Sequence, residues 1–479
     1  MKNNTDEVKT ILEKYDYKID DMIFSVMKKF GFKTLCCRVG MTKKEGFSPS
    51  EIIALMILFP LMLLKSVNAF YKGQYSKITN MHKDTIYRLK NSEKMPWRLL
   101  LYAVAKKFQQ LANPDKIIAE NSVFILDDTI DSRTGYKIEN ISRVYDHVAG
   151  RKGSKFGFKN LMLGFFDGTS IIPLDFSIHS EKKLGRKQRE KQFKKECAKN
   201  SNGFKRRQEC TVNKLINGMA MLRRSVKKGF IAKYVLADSW FGSLAFIKDV
   251  RSMNKGAMHI ICGVRRDGRK YEYNGEYLNA KQLTQTLKKQ GKESRCRKWN
   301  TRYYEVTVNY EGVGTVKLYL CRFPYQKDWR VFMSTDTSLN FVKMMEIYSI
   351  RWTIEVMFRE LKQHLQLGKC QSRDFDAQIA SVTVSLILYT FLAYLRRKSD
   401  YETIGGLFAL INRDLCEKNL AERIWMLFDE LLQFVIDGIS KTGTTDIGSF
   451  KISPEYQYIK ELVEASFLNN QLFELDKSA

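Results

Sequence analysis

Ser122-Val-Phe-Ile-Leu-Asp-Asp128 decides the fold: a short β-branched and aromatic run passes without a break into two acids. Such a run is the pattern of a strand buried on both faces in the middle of an α/β sheet. Tyr234-Val-Leu-Ala-Asp238 repeats it. Between the two, Phe156 to Phe166 alternates, meets the hairpin signal Asp167-Gly168, and continues as Ser170 to Ile178. Residues from about 260 to 326 are strand-like and turn-rich. A last core strand, Trp329-Arg-Val-Phe-Met-Ser334, precedes a long helix predicted from about Leu339 to Leu367. The expectation is a mixed α/β sheet with flanking helices, interrupted by a β-rich insertion. Its segments are a helical N-terminal region (1–115), a first core part (116–259), the insertion (260–326), the last strand and its helix (327–398), and a helical C-terminal region (399–479).

Charge narrows the class of partner. Lys and Arg outnumber Asp and Glu by 81 to 52 in 479 residues, a net charge of +29, and such self-repulsion points to a polyanion, nucleic acid first. From Lys182 to Lys228 cations are dense enough to suggest phosphates nearby. Lys77 to Lys90 is predicted as a turn and a basic helix, the kind of element that enters a major groove. The nine cysteines form no CxxC pair and the five histidines no paired ligand spacing. Reduced thiols in a cytosolic compartment follow, and any metal must be held by carboxylates, which suits Mg²⁺ or Mn²⁺. The N-terminal segment is polar where a signal peptide would be apolar. The apolar run Ile52 to Leu64 falls short of the ~20 residues that span a bilayer, so no membrane partner is expected.

Acids at strand ends are where catalytic groups of open α/β sheets collect. That singles out Asp238 and one of the neighbours Asp127 and Asp128, which point to opposite faces of a strand, so that only one joins the site. On the long helix, about 100° per residue puts Tyr348, Arg351, Glu355, Arg359 and Lys362 within an arc of about 80°, with Glu346 and Glu360 on the other side as solvated acids. A face with one acid among cations suits phosphate chemistry, and equally an exposed face laced with i,i+4 ion pairs.

Tyr348-x2-Arg351-x3-Glu355-x6-Lys362, with Trp352 beside the arginine, resembles the YREK signature of a hairpin-forming branch of insertion-sequence DDE transposases. The resemblance extends over roughly residues 120 to 395, through Asp127-Asp128-Thr129, Ala237-Asp238-Ser239 and the insertion between second and third acid. It implies an RNase H-like catalytic core and, because the family acid directly precedes Thr, a catalytic and metal-binding triad of Asp128, Asp238 and Glu355 with two Mg²⁺ (or Mn²⁺) ions. It assigns Tyr348, Arg351 and Lys362, with Arg359 on the same face, to DNA. Trp329 corresponds to the aromatic on which a flipped base stacks, with Trp299 as the alternative. The implied reaction is nicking at each element end, hairpin formation and opening, then strand transfer. Implied partners are DNA with terminal inverted repeats, target DNA and a second copy of the chain, in a bacterial cytoplasm, associated with the nucleoid. A DNA-binding protein without catalysis and another RNase H-like nuclease are the competing readings.

Overall fold

The computed structural model describes residues 22–72, 79–115, 122–145, 154–181, 184–265, 267–324, 326, 328–399 and 402–413. Most of the C-terminal region expected to make dimer contacts lies outside these residues. So do Lys77, Lys182 and Lys183. The chain forms two compact units: residues 1–108, 360–372 and 376–479 in one, and 109–359 with 373–375 in the other.

The first unit is helical: α1 (Met22–Phe30), α2 (Phe32–Arg38), α3 (Pro49–Leu61), α4 (Val67–Lys72), α5 (Lys83–Lys90) and α6 (Trp97–Ala112). Ser48 caps α3, its Oγ accepting from the Glu51 N–H, while Glu51 Oε2 accepts from the Ser48 N–H at 2.6 Å and Pro49 occupies the first turn. Every residue of α3 is buried, the capping Glu51 included, as the apolar run from Ile52 onward requires.

The second unit is built on one sheet: β1 (Val123–Arg133), β2 (Ser142–Tyr145), β3 (Ser154–Phe166), β4 (Ile171–His179), β5 (Tyr234–Ala237), β6 (His259–Val264), β7 (Lys270–Tyr273), β8 (Glu276–Asn279), β9 (Ser294–Cys296), β10 (Thr301–Tyr310), β11 (Gly314–Arg322) and β12 (Arg330–Ser334). Among the described residues its order is β2-β3-β1-β5-β6-β12-β11-β10-β7-β8, with β4 on β3 and β9 on β10. The β3–β4 hairpin closes where Asp167 Oδ1 accepts from the Thr169 and Ser170 N–H groups and Gly168 takes φ +97°. Helices α7 (Arg186–Glu190), α8 (Asn202–Thr211) and α9 (Lys214–Lys227) lie between β4 and β5. Then α10 (Leu244–Ser252) follows β5, α11 (Ala280–Lys289) follows β8, and α12 (Phe341–Ser349) and α13 (Trp352–Gln363) follow β12. Helix α14 (Phe375–Lys398) and the short α15 (Ile404–Arg413) end the described chain. Alone among the described helices, α14 is long and apolar enough to cross a membrane, but 89% of its apolar window is buried. Its Phe391 and Tyr394 rings pack on Phe30, in the manner of a core helix.

Four features depart from the sequence expectation. The strand-rich segment does not stand apart: β6 pairs in parallel with β5, and β12, β11 and β10 continue the same sheet. The long helix is two, because Ile350 and Arg351 donate to Ile347 and Tyr348, three residues back, and this tight turn separates α12 from α13. Glu360 is not solvated; it is buried in the helical unit beside Tyr389, whose phenol is raised first by burial and then by the Glu360 charge. Finally, part of the basic run is paired within the fold. Arg224 and Arg206 meet Asp175, Arg207 meets Glu139, Lys195 meets Asp374, and Lys214 meets Asp128.

Candidate active site

Strand β1 has two faces, and each looks at a different helix. A side chain at Gly164, the antiparallel partner of Ile125, would lie 3.8 Å from Ile354 of α13. A side chain at Gly218 of α9 would instead run into Leu126, 2.6 Å away. By the alternation of a strand, Asp127 shares the α13 face with Ile125, and Asp128 shares the α9 face with Leu126. The contacts agree. Arg351 donates to Asp127 Oδ2 at 2.9 Å and to Glu355 Oε1 at 2.5 Å. On the other face Lys214, one helical turn before Gly218, donates to Asp128 Oδ2 at 2.5 Å.

Asp238 stands at the end of β5. Leu126 and Ala237 are the last parallel pair between β1 and β5, so the next residues on each strand are Asp127 and Asp238. The Trp240 N–H donates to Asp238 Oδ1 at 2.8 Å, folding the chain back in a tight turn. This turn lies directly on β6, where a side chain at Gly263 would sit 3.2 Å from the Ser239 backbone. Tyr348, packed edge-on against Phe332 at 4.8 Å, reaches the Ala237 carbonyl from α12. Burial pushes its hydroxyl up to about 12.

The electrostatics set Asp127 apart. Burial raises its carboxyl to about 7; Arg351 opposes the rise and Asp238 adds to it. Asp238 is raised as well, by burial first, against the Trp240 N–H and with Asp128 adding. Two part-buried acids that resist ionisation beside an arginine mark a site built for a positively charged partner. The donors are carboxylate oxygens with no thiolate or imidazole among them, which fits a hard divalent cation. Among the described residues no three such ligands converge at coordination distance, and Arg351 lies between two of the acids.

The remaining sequence candidates are spread along the helix and the sheet edge. Arg359 is exposed on α13. Lys362 follows within the part of α13 that belongs to the helical unit, where it lines a cavity of about 410 Å³ with Lys65, His364 and Lys369 and no acid. Trp329 precedes β12; because β12 runs antiparallel to β6, it stands at the sheet edge where β6 ends, 5.0 Å from the Tyr304 ring. Trp299 lies in the insertion with its Nε1 unpartnered.

A family model described as Transposase DDE domain matches residues 119–391, more than half of the chain and the whole span from β1 to α13. The chain belongs to the DDE transposase family. No curated protein matches it. Membership makes DNA the substrate and transposition by a DDE-type mechanism the activity of this transposase, in a mixed α/β fold consistent with an RNase H-like domain. Sequence reasoning did not show on which face of β1 each of the two neighbouring acids lies. The signal was present: each core strand is an apolar run, and the parallel register aligns the first acid after each run, Asp127 with Asp238.

On the opposite face of the transposase sheet, buried His179 lies between Ser177 and Asn217, and burial, then Lys214, lowers its pKa from 6.5 to about 4. The unfolded chain therefore takes up the proton first, so stability is lost as pH falls from about 6.5 towards 4, by about 3 kcal/mol if the whole difference is realised. Asp127, raised rather than lowered, works in the other direction over an overlapping range. Urea midpoints at pH 7 and pH 4.5 should thus fall less for His179→Gln than for the parent chain. Equal falls would remove His179 as a source of acid sensitivity.

Proposed function

We propose that this transposase moves its element by cut and paste: it nicks each end, joins the freed 3′-hydroxyl to the opposite strand as a hairpin, opens it, and transfers the ends to target DNA. The neighbourhood of Asp127, Arg351 and Glu355, with Asp238 following the last β1–β5 pair beside Asp127, supports this reading. We take Asp127, in place of the expected Asp128, as the first acid of the triad. These three would hold two Mg²⁺ (or Mn²⁺) ions, which when bound align an attacking oxygen with its leaving group and offset charge on both.

The chain's own residues do the rest. Arg351, now shared between Asp127 and Glu355, has the fork to bind a scissile-strand phosphate once those carboxylates have another cation. Tyr348 buttresses the strand end that carries Asp238. Arg359 and Lys362 extend the row of cations along α13 for the flanking backbone, and Trp329, at the β6–β12 edge, offers its face to a flipped base. Terminal inverted repeats, a homodimer holding both ends, and a place on the bacterial nucleoid belong to the same proposal.

The test is to incubate the protein with Mg²⁺ and linear DNA carrying the inverted repeats that flank its gene. Nicks at the repeat ends followed by hairpin-ended fragments are expected, with Lys362→Ala sparing the nick more than the hairpin. Active binding with neither product would overturn the proposed reaction.

A further inference from the structure

Trp240, two residues beyond Asp238, is only part-buried, and two cations lie against its ring: Lys214 Nζ at 4.5 Å and Arg265 Cζ at 5.9 Å from the centroid. The cations come from different elements. Lys214 opens α9, and Arg265 is the exposed residue directly after β6. All three stand where the parallel strands β5 and β6 end, at the edge that carries the acids. Lys214 is fixed there from beneath by its 2.5 Å ion pair with Asp128, and Phe241, packed against Trp240 at 5.6 Å, is buried.

We propose that Trp240, Lys214 and Arg265 form a binding site for one unpaired nucleotide of the DNA end, the indole meeting the base and the two cations its flanking phosphates. The inference rests on the transposase reading and adds a second contact surface, on the α9 side of Asp238, away from the helix that carries Glu355. An aromatic ring recognises any base through its π-face, and cations recognise phosphate whatever the sequence, so the site is sequence-tolerant. Asp128 acts in it as a positioning residue that holds Lys214 against the ring. This accounts for an acid that stands next to the triad but faces away from it. A purely structural brace would not require a charged residue on an exposed strand end beside the ring, as Arg265 is.

The probes are two fluorescent duplexes of equal length, one blunt and one with a three-nucleotide single-stranded overhang, titrated with the full chain in fluorescence anisotropy. The parent should bind the overhang duplex more tightly. Trp240→Ala should lose that preference by roughly tenfold, within the range of a base–aromatic contact, while its blunt-duplex affinity stays within about twofold. Trp240→Phe should keep most of it. The double variant Lys214→Gln, Arg265→Gln should lower the slope of log affinity against log salt on the overhang probe by about one to two. A Trp240→Ala protein that keeps the preference, or loses both affinities alike, overturns the nucleotide site. Equal binding of both probes by the parent overturns it too and leaves the transposase reading standing, whereas failure to bind either probe strikes both.

Discussion

Asp127→Asn should abolish strand cleavage, by about three orders of magnitude or more, while Asp128→Asn should retain measurable cleavage with a loss of roughly tenfold. The first figure corresponds to about 4 kcal/mol of transition-state stabilisation, the scale expected when a cation loses a carboxylate it needs. The second reflects only loosened positioning, because Asp128 touches Lys214 and not Arg351 or Glu355. Both substitutions are isosteric, so neither disturbs the strand. The measurement is the rate of nicking of an end-bearing duplex at saturating Mg²⁺, with DNA affinity followed in parallel. An inactive Asp128→Asn protein beside an active Asp127→Asn protein would reverse the assignment of the two strand faces. Asp127→Asn should also stabilise the fold above pH 7, where the parent must keep a part-buried, reluctant carboxylate ionised.

The contrast between these neighbours shows what was legible in the sequence. Buried runs ending in acids at 128 and 238, the Asp167-Gly168 hairpin and the Ser48 capping box were readable because they are local: periodicity and turn chemistry act within a few residues. The Arg351–Glu355 ion pair was readable because the i,i+4 step survives the turn at Ile350. The choice between Asp127 and Asp128 was not local. It depends on which face of β1 meets α13, more than two hundred residues later, and Arg351 meets Asp127 there. The membership of β6 in the core escaped for a similar reason, since pairing with β5 is a long-range fact that a strand's own composition does not record. What the basic run's composition could not show is its internal partners; Glu139, Asp175 and Asp374, far apart in sequence, pair with part of it.

The largest stability effect falls on that pairing. Asp175 is fully buried in β4 and accepts from Arg224 at 2.9 Å, with Arg206 at 4.0 Å and the Phe176 N–H on its other oxygen. Arg206 is itself only 6% exposed and stacks over Phe176 at 4.5 Å, so it cannot turn to water if its counter-charge goes. Removing one member of a buried pair costs about 3–5 kcal/mol, because the remaining charge stays desolvated and uncompensated. Asp175→Ala should therefore lower the thermal midpoint by roughly 6–20 °C, on the 2–4 °C per kcal/mol that applies to a unit of this size. Asp175→Asn, which keeps an acceptor and the volume, should fall in between. A midpoint for Asp175→Ala within a degree or two of the parent would mean that Glu209, 3.3 Å from Arg206, suffices to hold it. The consequence reaches the site through one helix: α9 is pinned to the sheet by Arg224 at one end and by Lys214 at the other. Loosening the first should weaken the grip of the second on Trp240, and with it the preference for an unpaired DNA end, before cleavage itself is lost.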